Sequence, residues 1–257
     1  MHSSVNLIGV ATLYKRETWR FLKVWNQTII APMITTLIFL AILTLAMGGN
    51  ARTIDGMPYA VFIAPGLIMM AVVQNAFANT SSSLMLQKIQ GVIVDLMMPP
   101  LSGAEITFSM VMGGITRGVL VGISVAIAMR AFVPYGIHDA ALAIVYVILS
   151  SAMLATLGIL AGIVSQTFDH ISALTNYIIT PLSFLSGTFY SIHQLPKTWQ
   201  HISHANPFFY MIDGFRYAIT GYSDSDTTTG LTVLILTTLV LLVLCQYLLA
   251  KGWRLKS

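Results

Sequence analysis

Residues 190–217, YSIHQLPKTWQHISHANPFFYMIDGFRY, gather three histidines, two prolines, seven aromatic rings and the pair Asp213 and Arg216. His201 and His204 stand three apart and can meet on one helix face, with His193 as a further nitrogen donor. A zinc site needs three or four ligands held by supporting hydrogen bonds. No Cys, Asp or Glu completes a recognised spacing here, so these histidines read as solvated or interfacial and no metal site is expected. A lipid-modifying enzyme would need paired carboxylates, or a nucleophile beside a base. Asp213 and Arg216 are accounted for as an ion pair on one helical face, so no catalytic residue is expected.

The elements that position this stretch follow from composition. The 257 residues are 56% hydrophobic and 9% charged, with a mean hydropathy of +0.80, where soluble domains carry about a quarter charged residues. Apolar runs near the length needed to cross hydrocarbon as a helix predict an all-α, multi-pass membrane protein. Six spans are expected, at 29–47, 59–78, 106–129, 140–164, 174–189 and 230–250. The first 28 residues carry Lys15, Arg16, Arg20 and Lys23 and lack a continuous apolar core, so no cleavable signal peptide is expected.

With both termini cytoplasmic, that side receives Lys15, Arg16, Arg20, Lys23, Lys88, Lys251, Arg254 and Lys256, against Arg52, Arg130, Lys197 and Arg216 outside. That asymmetry favours cytoplasmic termini. The formal charge of +4 is thus an orientation signal and a lipid-headgroup attraction, and no nucleic-acid partner is expected. Cys245 sits in the last span, allows no intramolecular disulfide and reads as a small core residue.

Before the first span, Leu7, Ala11, Tyr14, Phe21, Leu22 and Trp25 recur at helical spacing among basic residues, predicting an amphipathic helix within 1–28 that lies in the membrane interface. Residues 84–104 read as a polar loop. Within it Ile89, Val92, Ile93 and Leu96 fall at i, i+3, i+4 and i+7, a short amphipathic helix ending before Pro99, edged by Gln87, Lys88, Gln90 and Asp95. In the shorter loop SQTFDHIS, Asp169 reads as a helix cap. Gly114, Gly118 and Gly122, and Gly158 with Gly162, form GxxxG steps that allow close helix contact. Arg117 lies deep in the third span and must find a partner, which makes it a functional candidate.

The fifth span carries Asn176, Thr180, Pro181, Ser183, Ser186, Gly187 and Thr188, which fit a helix seam or a transport path. After it, helices at about 196–204 and 208–220, broken at Asn206-Pro207, suggest a re-entrant hairpin over 190–222 on the outer side. There is no internal repeat and no GxxxxGK[ST] phosphate loop. Three readings remain: an export permease, a lipid-modifying membrane enzyme and a secondary transporter.

The order of these parts, with FIAPGLIMM at residues 62–70, DLMMPPLS at 95–102, GFRY at 214–217, and Pro196 and Trp199 ahead of Asn206-Pro207, resembles the ABC-2 type permeases over essentially the whole chain. These are the membrane subunits of ABC exporters. The resemblance implies one transmembrane domain over 1–257, a homodimer in the bacterial inner membrane, and two copies of a separate ATPase that hold ATP and Mg, with no cofactor in this chain. It implies that Gln90, Val92, Ile93, Asp95, Leu96 and Pro99 belong to a coupling helix, with Gln166 and Asp169 as a minor second contact. The family often has a carboxylate pair early in that helix, where this chain has Gly91 and Val92 and keeps only Asp95. Lys15, Arg16, Glu17 and Arg20 would lie in a connecting helix. Asn176, Thr180, Ser183, Phe189, Tyr190, Phe208, Tyr210 and Arg216 would line or gate the path of an amphiphilic substrate such as a lipid, lipid-linked glycan or hydrophobic drug.

Overall fold

A computed structural model describes residues 5–46, 53–54, 56–93 and 98–251. Helix α1 (Leu7–Leu22) starts at Asn6, whose side chain accepts from the Gly9 N–H, and it buries Leu13, Glu17 and Phe21 on one face. A π turn at Asn26–Ile30 leads into α2 (Ala31–Ala46). Pro32 has no N–H, and its ring crowds the carbonyl four residues back. The chain answers by widening one turn: the Ala31 N–H reaches the Asn26 carbonyl, and the Thr28 hydroxyl donates to the Phe21 carbonyl at 2.9 Å. Two short antiparallel strands, β1 (Thr53–Ile54) and β2 (Met57–Pro58), follow.

Helix α3 (Tyr59–Ile89) is 31 residues long, ~46 Å at 1.5 Å per residue. It outruns the expected span by eleven residues, and the polar segment expected to be a loop from residue 84 is helical through Ile89. The hydroxyls just ahead of it are held inside the helix by bonds to backbone: Ser81 donates to Phe77 and Thr80 to Ala155 of the next-but-one helix, at 2.8 and 2.7 Å. Gly91, at φ +71°, lies just past the end of α3. Ile89 and Val92 are therefore exposed while Ile93 is buried, so the continuous stripe expected across 89–96 is broken at Gly91. Asp95 and Leu96 lie outside the described residues.

Helices α4 (Gly103–Arg130) and α5 (Ala140–Val164) pack with α3 into the centre of the fold. The glycine steps make this possible. A Cβ on Gly114 would stand 2.5 Å from the Ala155 Cβ, and one on Gly158 would stand 2.5 Å from the Phe77 carbonyl oxygen. Five helices are long and apolar enough to cross a membrane among the described residues: Asn26–Ala46, Tyr59–Ile89, Gly103–Arg130, Ala140–Val164 and Thr227–Lys251.

The expected span at 174–189 is not among the five. There α6 (Phe168–Leu174), a π turn at Thr175–Ile179 and α7 (Thr180–Phe184) form a shorter helical run, with Pro181 repeating the Pro32 arrangement. Side chains stop it by taking the carbonyls at its end. Asn206 donates to Leu182 at 3.1 Å, Thr188 to Ser183 at 2.6 Å and Ser203 to Leu185 at 3.4 Å. The chain then turns at Gly187, φ +70°. Helices α8 (Lys197–Ala205) and α9 (Pro207–Thr220) fall within a residue of expectation, and α10 (Thr227–Lys251) ends the described chain.

Replacing Gly158 by Val forces side-chain atoms against α3 backbone. The purified protein should lose about 1–3 kcal/mol of stability, read as an earlier thermal unfolding midpoint in detergent.

Candidate functional site

Two groups of the expected residues come together, one at each end of the helix bundle. At the end carrying α1, Lys88 in the last turn of α3 donates through Nζ to the carbonyls of Gly162, Ile163 and Ser165, at 2.9, 2.6 and 3.0 Å. A lysine therefore satisfies the C-terminus of α5, where an ammonium also meets the negative end of the helix dipole. This joins the end of α3 to the loop bearing Gln166 and Asp169, both of which are exposed. The cap of α6 is Thr167, which accepts from the His170 N–H at 3.4 Å, and not Asp169, which sits in the first turn.

The start of α4 is also tied down. Ser102 and Glu105 form a capping box, and Glu105 Oε1 also accepts the Asn6 N–H at 2.6 Å. The segment between α3 and α4 is thus tied at its entry to α5 and at its exit to the start of α1. Pro99 is exposed within it. Ser102-x-x-Glu105 is a readable capping signal, whereas nothing local marks Lys88 as a carbonyl donor.

Helix α1 packs on the helix bundle through one face. Glu17 is buried between Arg16, at 3.3 Å, and Arg20, at 3.5 Å. Arg20 reaches the Asn79 carbonyl and Oδ1 of α3, at 2.6 and 3.0 Å. Burial lowers the pKa of the Arg20 guanidinium, and Glu17 opposes that shift. Lys15 and Arg16 remain exposed, so only part of the expected basic face is free for a partner. Arg117 finds its partner in Asn75 Oδ1 of α3, at 2.9 Å.

At the other end, Arg216 and Asp213 are fully buried and 3.7 Å apart. Arg216 donates to the carbonyls of Gly187 and Phe62, and its guanidinium lies 4.1 Å from the Phe62 ring centroid. Asp213 accepts from the Asp224 and Ser225 N–H groups at 2.8 and 2.9 Å. Asp224 in turn accepts from Ser191, Tyr222 and the Ile192 N–H. The network ties α3, the turn after α7, α9 and the loop before α10 into one unit. Arg216 therefore acts as a clamp on backbone rather than a side chain free to move.

The other expected gate residues scatter. Phe208 and Tyr210 are buried in the core, Ser183 spends its hydroxyl on the Ile179 carbonyl at 2.8 Å, Thr180, Phe189 and Tyr190 are half-buried, and Asn176 is exposed. His193, His201 and His204 are exposed; His204 lies edge-on to Phe209, and no metal-holding cluster exists among the described residues. A cavity of about 290 Å³ opens instead between α2 and α3, lined by Gln27, Gln74 and Asn75 at one end and by Phe39 and Leu67 at the other.

A family profile described as ABC-2 type transporter matches residues 9–220. This chain belongs to the ABC-2 transporter family. It is 36% identical over 250 residues to the inner membrane transport permease YadH of Escherichia coli strain K12, covering 97% of this chain and 98% of that protein. It is 22% identical to nodulation protein J of Neorhizobium galegae, covering 90% of this chain and 88% of that one, and 24% identical to nodulation protein J of Rhizobium leguminosarum bv. viciae, covering 88% and 92%. An ABC-2 permease is a transport subunit, and the family normally works with an ATPase.

Arg216→Met leaves Asp213 buried without its cation and frees two carbonyls. It should cost about 3–5 kcal/mol, seen as a large fall in thermal midpoint, whereas His201→Ala with His204→Ala should leave the midpoint unchanged.

Proposed function

We propose that this ABC-2 permease is the membrane subunit of an ATP-driven exporter in the bacterial inner membrane. It works as a homodimer with two copies of a separate ATPase that carry ATP and Mg. Both termini are cytoplasmic, the broken run at 168–184 serves as the fifth of six spans, and α8 and α9 form the re-entrant pair on the outer side. The exposed apolar face of α2, including Ile34, Ile38 and Leu45, fits contact with lipid or the second copy. The amphiphilic character of the α2–α3 cavity suits a lipid-like cargo.

The observation that carries this reading is the loop held at both ends, by Lys88 on α5 and by Glu105 on Asn6. A push on residues 90–101 from a bound ATPase is delivered at once to α3, α5 and α1. Helices α3, α4 and α5 meet through glycine contacts that leave little slack, and α1 meets Gly113 of α4 through Glu17, so the displacement shifts their packing instead of being absorbed. The outer network around Arg216 moves as a block with the top of α3.

The test is transport of a fluorescent lipid analogue in liposomes holding the chain with its ATPase. Flux should require ATP, and flux driven equally well without the ATPase would sink the exporter reading. Lys88→Met should retain ATPase binding but lower coupled ATP hydrolysis by at least about fivefold, the low end of ordinary coupling free energies.

A further inference from the structure

Where α1 crosses α3 and α4, hydrogen-bond donors outnumber acceptors. Asn75 and Asn79 stand one turn apart on α3; the first holds Arg117 of α4 and the second holds Arg20 of α1. Because Arg20 donates to Asn79 Oδ1, the Nδ2 end of that amide is left over. Among the described residues, Asn79 Nδ2, Arg20 Nε and Arg117 Nε are each buried with no hydrogen-bond partner, although Asn79 is 0% exposed. Thr18 Oγ1 is in the same condition, one turn on from Tyr14, whose hydroxyl meets Thr116 beside Arg117 at 2.9 Å.

The charges point the same way. Among the described residues, Arg16 and Arg20 share the single carboxylate of Glu17, while Arg117 is paired with the neutral Asn75. Arg117 and Arg20 are held one helical turn apart on the same face of α3, by Asn75 and Asn79. Donors and positive charges left buried in this way are costly unless an acceptor arrives. Arg20 keeps about a quarter of its side chain exposed, at 27%, so the junction is reachable from outside the bundle.

Depth identifies the acceptor. Asn79 lies 20 residues along α3 from Tyr59, ~30 Å, one hydrocarbon thickness from the far end. With Tyr59 at the opposite hydrocarbon boundary, that is the level of lipid phosphates on the α1 side. Gly113 of α4 faces Asn79, so Arg117 sits one helical turn deeper, ~6 Å, and a helical side chain reaches toward the N-terminus of its helix, here back toward Arg20.

We propose that the junction of α1, α3 and α4 binds the anionic phosphate of a membrane-lipid headgroup, gripped by Arg20, Arg117 and Asn79. A phosphate oxygen supplies acceptors to all three unpartnered N–H groups and offsets the uncompensated cations. The lipid's acyl chains remain in the bilayer beside α1. This inference rests on the transmembrane reading alone and stands whether or not an ATPase drives transport.

The test uses the full chain, purified in mild detergent, exposed to phosphatidylglycerol, phosphatidylcholine or inorganic phosphate, with bound lipid counted by native mass spectrometry and stability followed as the thermal midpoint. Wild type should retain phosphatidylglycerol in preference to phosphatidylcholine and rise in midpoint with it. Arg117→Gln and Asn79→Leu should each cut retention about tenfold, with Arg117→Lys keeping part of it. A similar rise in midpoint with inorganic phosphate would support the same anion site with free phosphate as its source. Equal retention and equal midpoints with phosphatidylglycerol and phosphatidylcholine in wild type would overturn the proposal even if the variants failed to fold. So would undiminished retention by folded Arg117→Gln.

Discussion

Backbone carbonyls released at helix ends and kinks cannot be left bare in a membrane protein, because hydrocarbon offers them no water. In this ABC-2 permease the donors that take them are side chains from distant parts of the sequence. Lys88 takes three at the end of α5, Arg216 takes those of Gly187 and Phe62, and Asn206, Thr188 and Ser203 take those at the end of α7. Each of these bonds also fixes one element against another. The same requirement that ends the helices thus assembles the bundle.

Prolines act through the same constraint. Pro32 and Pro181 each remove an N–H, and each is preceded by a π turn that re-pairs the backbone one residue wider. The result is a widened turn within an unbroken helical path. At residues 168–184 that widened turn, followed by capture of the carbonyls at 182, 183 and 185, leaves a run shorter than the helices beside it. The stretch 174–189, read as a span from its apolar residues, is therefore divided and stopped in three dimensions.

Close packing supplies the other half of the architecture. Glycines 114, 118, 158 and 162 let α3, α4 and α5 approach until a methyl group would overlap backbone or side-chain atoms. A core this tight transmits displacement. It also explains why α3 stays helical through NTSSSLMLQKI: its hydroxyls find backbone carbonyls on α3 itself and across the seam on α5.

Composition and hydropathy by themselves determined a multi-pass helical membrane protein, because a chain with 9% charged residues has too few to cover the surface of a soluble fold. Glycine spacing foretold close helix seams, and Pro196 with Asn206-Pro207 placed α8 and α9 to within a residue, because these are local backbone effects. The tertiary structure alone decided what the polar residues do. Glu17 and Arg20 look like an exposed basic face but turn inward, Asp169 yields the cap to Thr167, and the Arg216 expected at a gate is a buried clamp. Local spacing assigns a side chain to a face of its own helix, but its partner lies 29 to 154 residues away for Arg216 and 74 to 77 for Lys88. Only the folded chain brings those carbonyls within reach.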